Sequence, residues 1–189
     1  MHNEFPKIFC FISNYEKNYI KRLPKNIAII YRNYNKVINK DEIIKIKSLC
    51  KKDSRKFFLA NNIKISIQLN LDGVYIPSFK KLCNYKNLNA KKNFKIIGSA
   101  HNLIELNNKE KQGCTSIFIA PIFKTKKNDY FLDTARFNLL AKNTKKKIIA
   151  LGGINHLNYK RLKSTKVDGF ASISWIKKNR PKNIGRFLK

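Results

Sequence analysis

Eight short apolar runs recur along the chain and constrain its fold more than any other feature. They read "KIFCFIS", "NIAIIYR", "KFFLAN", "GVYIPS", "FKIIGSA", "SIFIAPIF", "KIIALGG" and "GFASISWI". Each is rich in Ile, Phe, Val or Tyr, and most lack strict alternation, the pattern of strands covered on both faces. Segments with helical spacing lie between them. "DEIIKIKSLCKK" opens with an acid pair, and "NLIELNNKEKQG" starts at the N-cap Asn102 and stops at Gly113. "DTARFNLLAKN" and "NHLNYKRLKSTK" follow the same pattern. Strands alternating with helices form a parallel sheet with right-handed crossovers. Eight of them predict an α/β fold, a single compact (β/α)8 TIM barrel. An open doubly wound sheet is the alternative. At 189 residues the chain is short for such a barrel, so its helices must be trimmed, and "NYEKNYIKRLPK" leaves little room for the first. No linker or low-complexity tract divides residues 1–189, so one domain is expected.

Composition narrows the partners. Lys and Arg number 41 against 11 Asp and Glu, a net charge of +30. The excess is mostly Lys, spread evenly, and it accompanies many Asn, Ile, Phe and Tyr residues, all with A/T-rich codons. Biased base composition accounts for it without a nucleic-acid partner, and no nucleic-acid motif is present. A phosphorylated ligand suits such a surface. No apolar run reaches the roughly 18 residues of a membrane span. The opening "MHNEFPKIFCFIS" has Glu4 and a strand-like run instead of a signal peptide's basic region and cleavage site. A cytoplasmic location is expected. Cys10, Cys50, Cys83 and Cys114 are far apart and form no CxxC pair, so they read as reduced, buried thiols, with no metal site among them.

In a parallel α/β fold, ligands meet the carboxyl ends of the strands. Those ends carry Arg32 and Asn33, Asn61 and Asn62, Pro77 and Ser78, Ser99 and His101, Pro121 to Thr125, Gly152 and Gly153, and Ser172 and Ser174. The set holds no carboxylate pair and no nucleophile beside a base. Gly152 and Gly153 are two of only 7 glycines. At the end of a late barrel strand, such a pair lets backbone amides approach a phosphate, and a following helix N-terminus adds partial positive charge. The turn at Ser174 would supply the other half of the cradle. A tight strand-to-helix turn is the other reading of the same pair.

Five segments resemble the thiamine phosphate synthases and their TenI-type relatives, in order and in register over about Ile27 to Ile176. "LDGVYIPS" resembles their "ADGVHLGQ", and "IIGSAHNLIEL" their "GVSAHSLEEA". "GCTSIFIAPIFKTK" resembles "GADYIGLGPIFPTKTK", "IIALGGIN" matches "VVAIGGIN", and "VDGFASISWI" matches "ADGVAVISAI". The resemblance implies a (β/α)8 barrel and a thiamine-biosynthesis enzyme acting on a thiazole phosphate. The synthase couples it to hydroxymethylpyrimidine diphosphate and releases diphosphate, with Mg²⁺. TenI-type members tautomerise a thiazole carboxylate phosphate. A non-catalytic phosphate-ligand binder on a decayed synthase barrel is the alternative.

Carried over by position, Gly152 and Gly153 would hold the thiazole phosphate, with Ile173 and Ser174 completing that site. Thr125 and Asn61 would contact substrate. Arg32 would face the diphosphate, Ser99 matches the serine of "SAH", and His101 matches the histidine that TenI-type enzymes use as a proton shuttle. Tyr75 stands where the family has His and is read as packing. Two carboxylates that hold Mg²⁺ in the synthase fall at Asn62 and Lys80, which offer a neutral oxygen and a cation. The Gln and Lys of "QxRxK" fall at Ile30 and Tyr34, and the second Thr and the Lys of "PTxTK" fall at Lys127 and Asn128. Mg²⁺ is therefore expected only if synthase activity survives.

Overall fold

The computed structural model describes residues 5–34, 37–81, 84–85, 93–126, 129–172 and 175–176. Its centre is a closed parallel barrel in sequence order. The strands are β1 (Ile8–Ile12), β2 (Ile27–Tyr31), β3 (Phe57–Ala60), β4 (Gly73–Ile76), β5 (Lys95–Ala100), β6 (Ser116–Ile119), β7 (Lys147–Leu151) and β8 (Gly169–Ala171). Closure comes from β1 pairing with β8, Ile8 opposite Phe170. All eight apolar runs become these strands, which excludes the open sheet.

The lack of alternation has a simple cause. Successive side chains point to opposite faces, and both faces are buried. Phe9, Phe11, Ala28, Ile30, Phe58, Tyr75, Ile97, Phe118, Ile149 and Ala171 fill the interior. Ile8, Cys10, Ile27, Ile29, Val74 and Ile96 belong to the second cluster, which includes helix residues. Inside, aromatic rings take up the volume, with Phe9 and Phe118 edge-on at 5.0 Å and Phe11 and Tyr75 at 5.2 Å.

The helices are α1 (Lys17–Arg22), α2 (Lys40–Lys52), α3 (Ile63–Gln68), α4 (Leu103–Lys111) and α5 (Asp133–Ala141). Asn102 caps α4 by accepting from the Glu105 N–H at 2.9 Å, and Gly113 ends that segment at φ +86°. The segment expected to form a helix after β7 is instead a short 3-10 turn, Tyr159–Ser164. Two asparagines intervene: the Asn155 N–H donates to Asn158 Oδ1, and the Leu157 N–H donates to Asn155 Oδ1, both at 2.8 Å. Such local bonds compete with the helical ladder.

At the amino-terminal end of the strands, Arg55, whose side chain is fully buried, ties down the α1–β2 segment. Its guanidinium donates to the carbonyls of Pro24 (2.7 Å), Ile27 (3.0 Å) and Leu23 (3.0 Å) and pairs with Asp53 at 3.3 Å. Among the described residues, no helix is long and apolar enough to cross a membrane. Cys10, Cys50 and Cys114 are buried and outside any disulfide. Cys83 lies outside the described residues.

Candidate functional site

At the carboxyl end of the barrel, the ends of β2, β4 and β5 bring three polar side chains together. Arg32 follows β2, its N–H donating to the Ile12 carbonyl at 2.8 Å. Its guanidinium lies 4.7 Å above the Phe11 ring and 6.0 Å from Tyr34. Among the described residues it forms no salt bridge, unlike Arg55 and Arg161, which pair with Asp53 and Asp133. Tyr75 lies beneath it, 2% exposed, with its ring edge-on to Phe11 and Phe118. Burial raises the phenol's pKa, while hydrogen bonding with Ser99 and the charge and hydrogen bonding of Arg32 act to lower it. Ser99 is 4% exposed. Tyr75 does pack, as the sequence suggested, but its hydroxyl also faces the two residues proposed from the motifs. The signal was its position on the inward face of β4, where a buried tyrosine's O–H seeks a partner.

Backbone builds the opposite side. Gly152 and Gly153 have φ +94° and +71°, the left-handed region that favours glycine. A Cβ on Gly152 would lie 2.6 Å from Pro121 Cβ, and one on Gly153 would lie 2.4 Å from the Phe123 carbonyl oxygen. The loop after β6 thus presses directly on the pair. The Ile122 N–H donates to the Leu151 carbonyl at 2.9 Å and the Phe123 N–H to the Gly152 carbonyl at 3.1 Å. Asn158 Nδ2 donates to the Gly153 carbonyl at 2.9 Å. Ser172 Oγ donates to the Ile154 carbonyl at 3.1 Å, joining β8 to the same junction. Among the described residues, the Gly152 and Gly153 N–H groups have no backbone acceptor. Thr125 is half-buried in the adjoining loop. Ile173, Ser174, Lys127 and Asn128 lie outside the described residues.

The remaining expected residues sit on the rim. His101 just precedes α4, with its side chain 45% exposed. Its N–H donates to Glu105 Oε2 at 2.7 Å, and its Nδ1 is 3.6 Å from the same oxygen. This is a helix N-terminal contact. Asn61 adopts φ +58° and donates its N–H to the Tyr75 carbonyl at 2.8 Å. With Tyr34, Ile38, Leu59 and Phe79 it lines a groove of about 330 Å³ between the β2 and β3 ends. Asn62 Oδ1 caps α3, accepting from the Ile65 N–H at 2.9 Å. Lys80 is exposed. Among the described residues, no group of three His, Cys, Asp or Glu side chains is placed to hold a metal. A hard cation needs anionic oxygens. The engaged neutral amide of Asn62 and the ammonium of Lys80 offer no anionic oxygen to the divalent ion that the resemblance implies.

The thiamine monophosphate synthase family profile (TMP-TENI) matches residues 24–176. The thiamine-phosphate synthase of Prochlorococcus marinus subsp. pastoris is 32% identical over 169 residues, 82% of this chain and 46% of the relative. That of Pelagibacter ubique is 31% identical over 175 residues, 87% of this chain and 84% of the relative. The chain spans less than half the length of the Prochlorococcus relatives it matches. Thiamine phosphate pyrophosphorylase from Pyrococcus furiosus superposes with a TM-score of 0.73 at 18% identity, covering 97% of this chain and 92% of that one. That likeness shows a shared barrel. Together with the profile match across most of its strands, the sequence similarity establishes that the chain belongs to the thiamine monophosphate synthase family.

Proposed function

We propose that the chain is a transferase that joins hydroxymethylpyrimidine diphosphate to a thiazole phosphate. In this reaction the carbon–oxygen bond between the pyrimidine methylene and the diphosphate breaks, and its electron pair leaves with the diphosphate. The thiazole nitrogen lone pair then forms the new carbon–nitrogen bond. Nothing is oxidised or reduced, and diphosphate is released.

The observation carrying this reading is Arg32, a mouth-facing cation without a salt bridge among the described residues, beside the buried hydroxyls of Tyr75 and Ser99. Guanidinium binds phosphate oxygens through paired, charge-assisted donors. Arg32 and Ser99 would hold the diphosphate and stabilise its developing charge. Gly152 and Gly153, with Ile173 and Ser174, would cradle the thiazole phosphate through backbone N–H groups. Thr125 and Asn61 would border the two substrates. Because Asn62 and Lys80 offer a divalent ion no anionic oxygen, no step is assigned to one. His101, engaged with Glu105 on the rim, would orient substrate rather than move a proton.

The test is formation of thiamine phosphate from the two substrates by the purified chain, with Arg32→Ala as control. Product that is lost in Arg32→Ala supports the transferase. Thiazole phosphate binding without product removes it, and His101→Ala then decides what remains. A loss of a hundredfold or so in thiazole tautomerisation, the scale of general acid–base catalysis, would identify a tautomerase, and absence of turnover a silent binder.

A further inference from the structure

Behind the mouth, α4 carries a lysine that solvent does not reach. Lys109 is 0% exposed. Its ammonium donates to the carbonyl oxygens of Pro77 (2.8 Å) and Lys80 (2.9 Å) and to Gln112 Oε1 (2.9 Å). An ammonium has three donors, so this one is saturated. Gln112 Nε2 donates to the same Lys80 carbonyl at 2.7 Å, and the Lys80 N–H closes the turn onto Pro77 at 3.2 Å. Gly98 on β5 leaves space for the lysine stem, since a Cβ there would lie 2.8 Å from Lys109 Cδ. Burying a cation opposes folding by several kcal/mol unless its donors are satisfied, and burial lowers the Lys109 pKa. An apolar side chain would fill the same space without that cost, so packing alone does not account for a lysine here.

The turn held in this way carries Phe79. Its ring meets Tyr34 edge-on at 5.5 Å, and Tyr34 adjoins the Arg32 guanidinium. Tyr34 and Phe79 both line the groove beside Arg32. A continuous set of contacts therefore runs from a buried ammonium to the proposed anion site.

We propose that Lys109 is a positioning residue: it fixes the Pro77–Lys80 turn so that Phe79 and Tyr34 wall the groove and Arg32 receives an anionic ligand in a formed site. This rests on the reading of Arg32 as the anion-binding group.

The test is calorimetric titration of the full chain with inorganic diphosphate, for the unaltered protein, Arg32→Ala, Lys109→Met and Gln112→Met. Limited trypsin digestion follows cleavage after Lys80 and Lys81. Lys109→Met should weaken diphosphate binding about tenfold, within the range seen for residues coupled to a site through others. It should also speed cleavage after Lys80 and Lys81 selectively, with Gln112→Met doing the same to a smaller degree. Diphosphate affinity that falls in Arg32→Ala but not in Lys109→Met overturns the proposal and leaves the anion site standing. Faster cleavage at every site with unaltered affinity also overturns it, because that is the signature of general destabilisation. Equal affinity in Arg32→Ala and the unaltered protein removes the reading beneath it. If Lys109→Met does not fold, Gln112→Met decides: unchanged affinity and cleavage overturn the proposal.

Discussion

The two sides of the barrel mouth are made of different materials. From β6 to β8 the surface is backbone: two glycines at positive φ, the Gly153 carbonyl tied by Asn158, and a loop pressed onto the pair at Pro121 and Phe123. From β2 to β5 it is side chains: Arg32, Tyr75, Ser99, Asn62 and the lysine-held turn. A backbone surface admits few alternatives, because only glycine tolerates both the torsion and the crowding. A side-chain surface can be rebuilt one position at a time. The glycine pair is held by torsion and crowding together, whereas Arg32, Tyr75 and Ser99 are held by side-chain contacts alone.

The comparison breaks most decisively at Gly153. Gly153→Ala would place a Cβ against two backbone carbonyls, and should cost about 3 kcal/mol or more in stability, read from the urea midpoint. A variant as stable as the parent would refute the backbone account of that side. Arg32→Ala should do the opposite. Diphosphate affinity should fall about thirtyfold to a hundredfold, the worth of charged hydrogen bonds. The melting transition should move little, because losing a cation–π contact costs only about 1 kcal/mol. Tyr75→Phe keeps the ring packing and removes one hydroxyl. It should weaken diphosphate binding about fivefold, near one neutral hydrogen bond, and unchanged binding would return Tyr75 to a packing role alone.

The smallest effect concerns Cys114, which packs beside Gly98 near Lys109. Burial pushes its thiol from an ordinary value of 9.0 up to about 12, with Lys109 acting in the opposite sense. Between those values the native chain keeps a proton that the unfolded chain releases. Its contribution to stability is therefore full below pH 9.0 and is lost as pH rises toward about 12. Chemical denaturation across that range should show a shallower alkaline loss for Cys114→Ala.

The barrel itself was legible because two-sided burial leaves a record at every strand: Ile8 and Phe9 face opposite ways, yet both must be apolar. The glycine pair was legible for the torsional reason just given. The 3-10 turn after β7 was not, because Asn155 and Asn158 resemble ordinary helix-start residues until their side chains are seen to accept from the Leu157 and Asn155 N–H groups. Lys109 was hidden for a different reason. In a chain with 41 Lys and Arg, one more lysine on a helix looks solvated, and only packing against Gly98 and the Pro77–Lys80 turn reveals it as internal. Tyr75 was recognised as a departure from the motif, but its hydroxyl's company depends on three strands meeting, which no single segment encodes.

Arg55 gathers the carbonyls of Leu23, Pro24 and Ile27 at the end of the barrel away from the mouth. This clasp has an evolutionary consequence. Because the junctions of α1 with β2 and of α2 with β3 are secured there, substitutions at Arg32 or at the exposed Lys80 leave this clasp untouched. A lineage can change what it accepts at the mouth while the barrel it inherits stays the same.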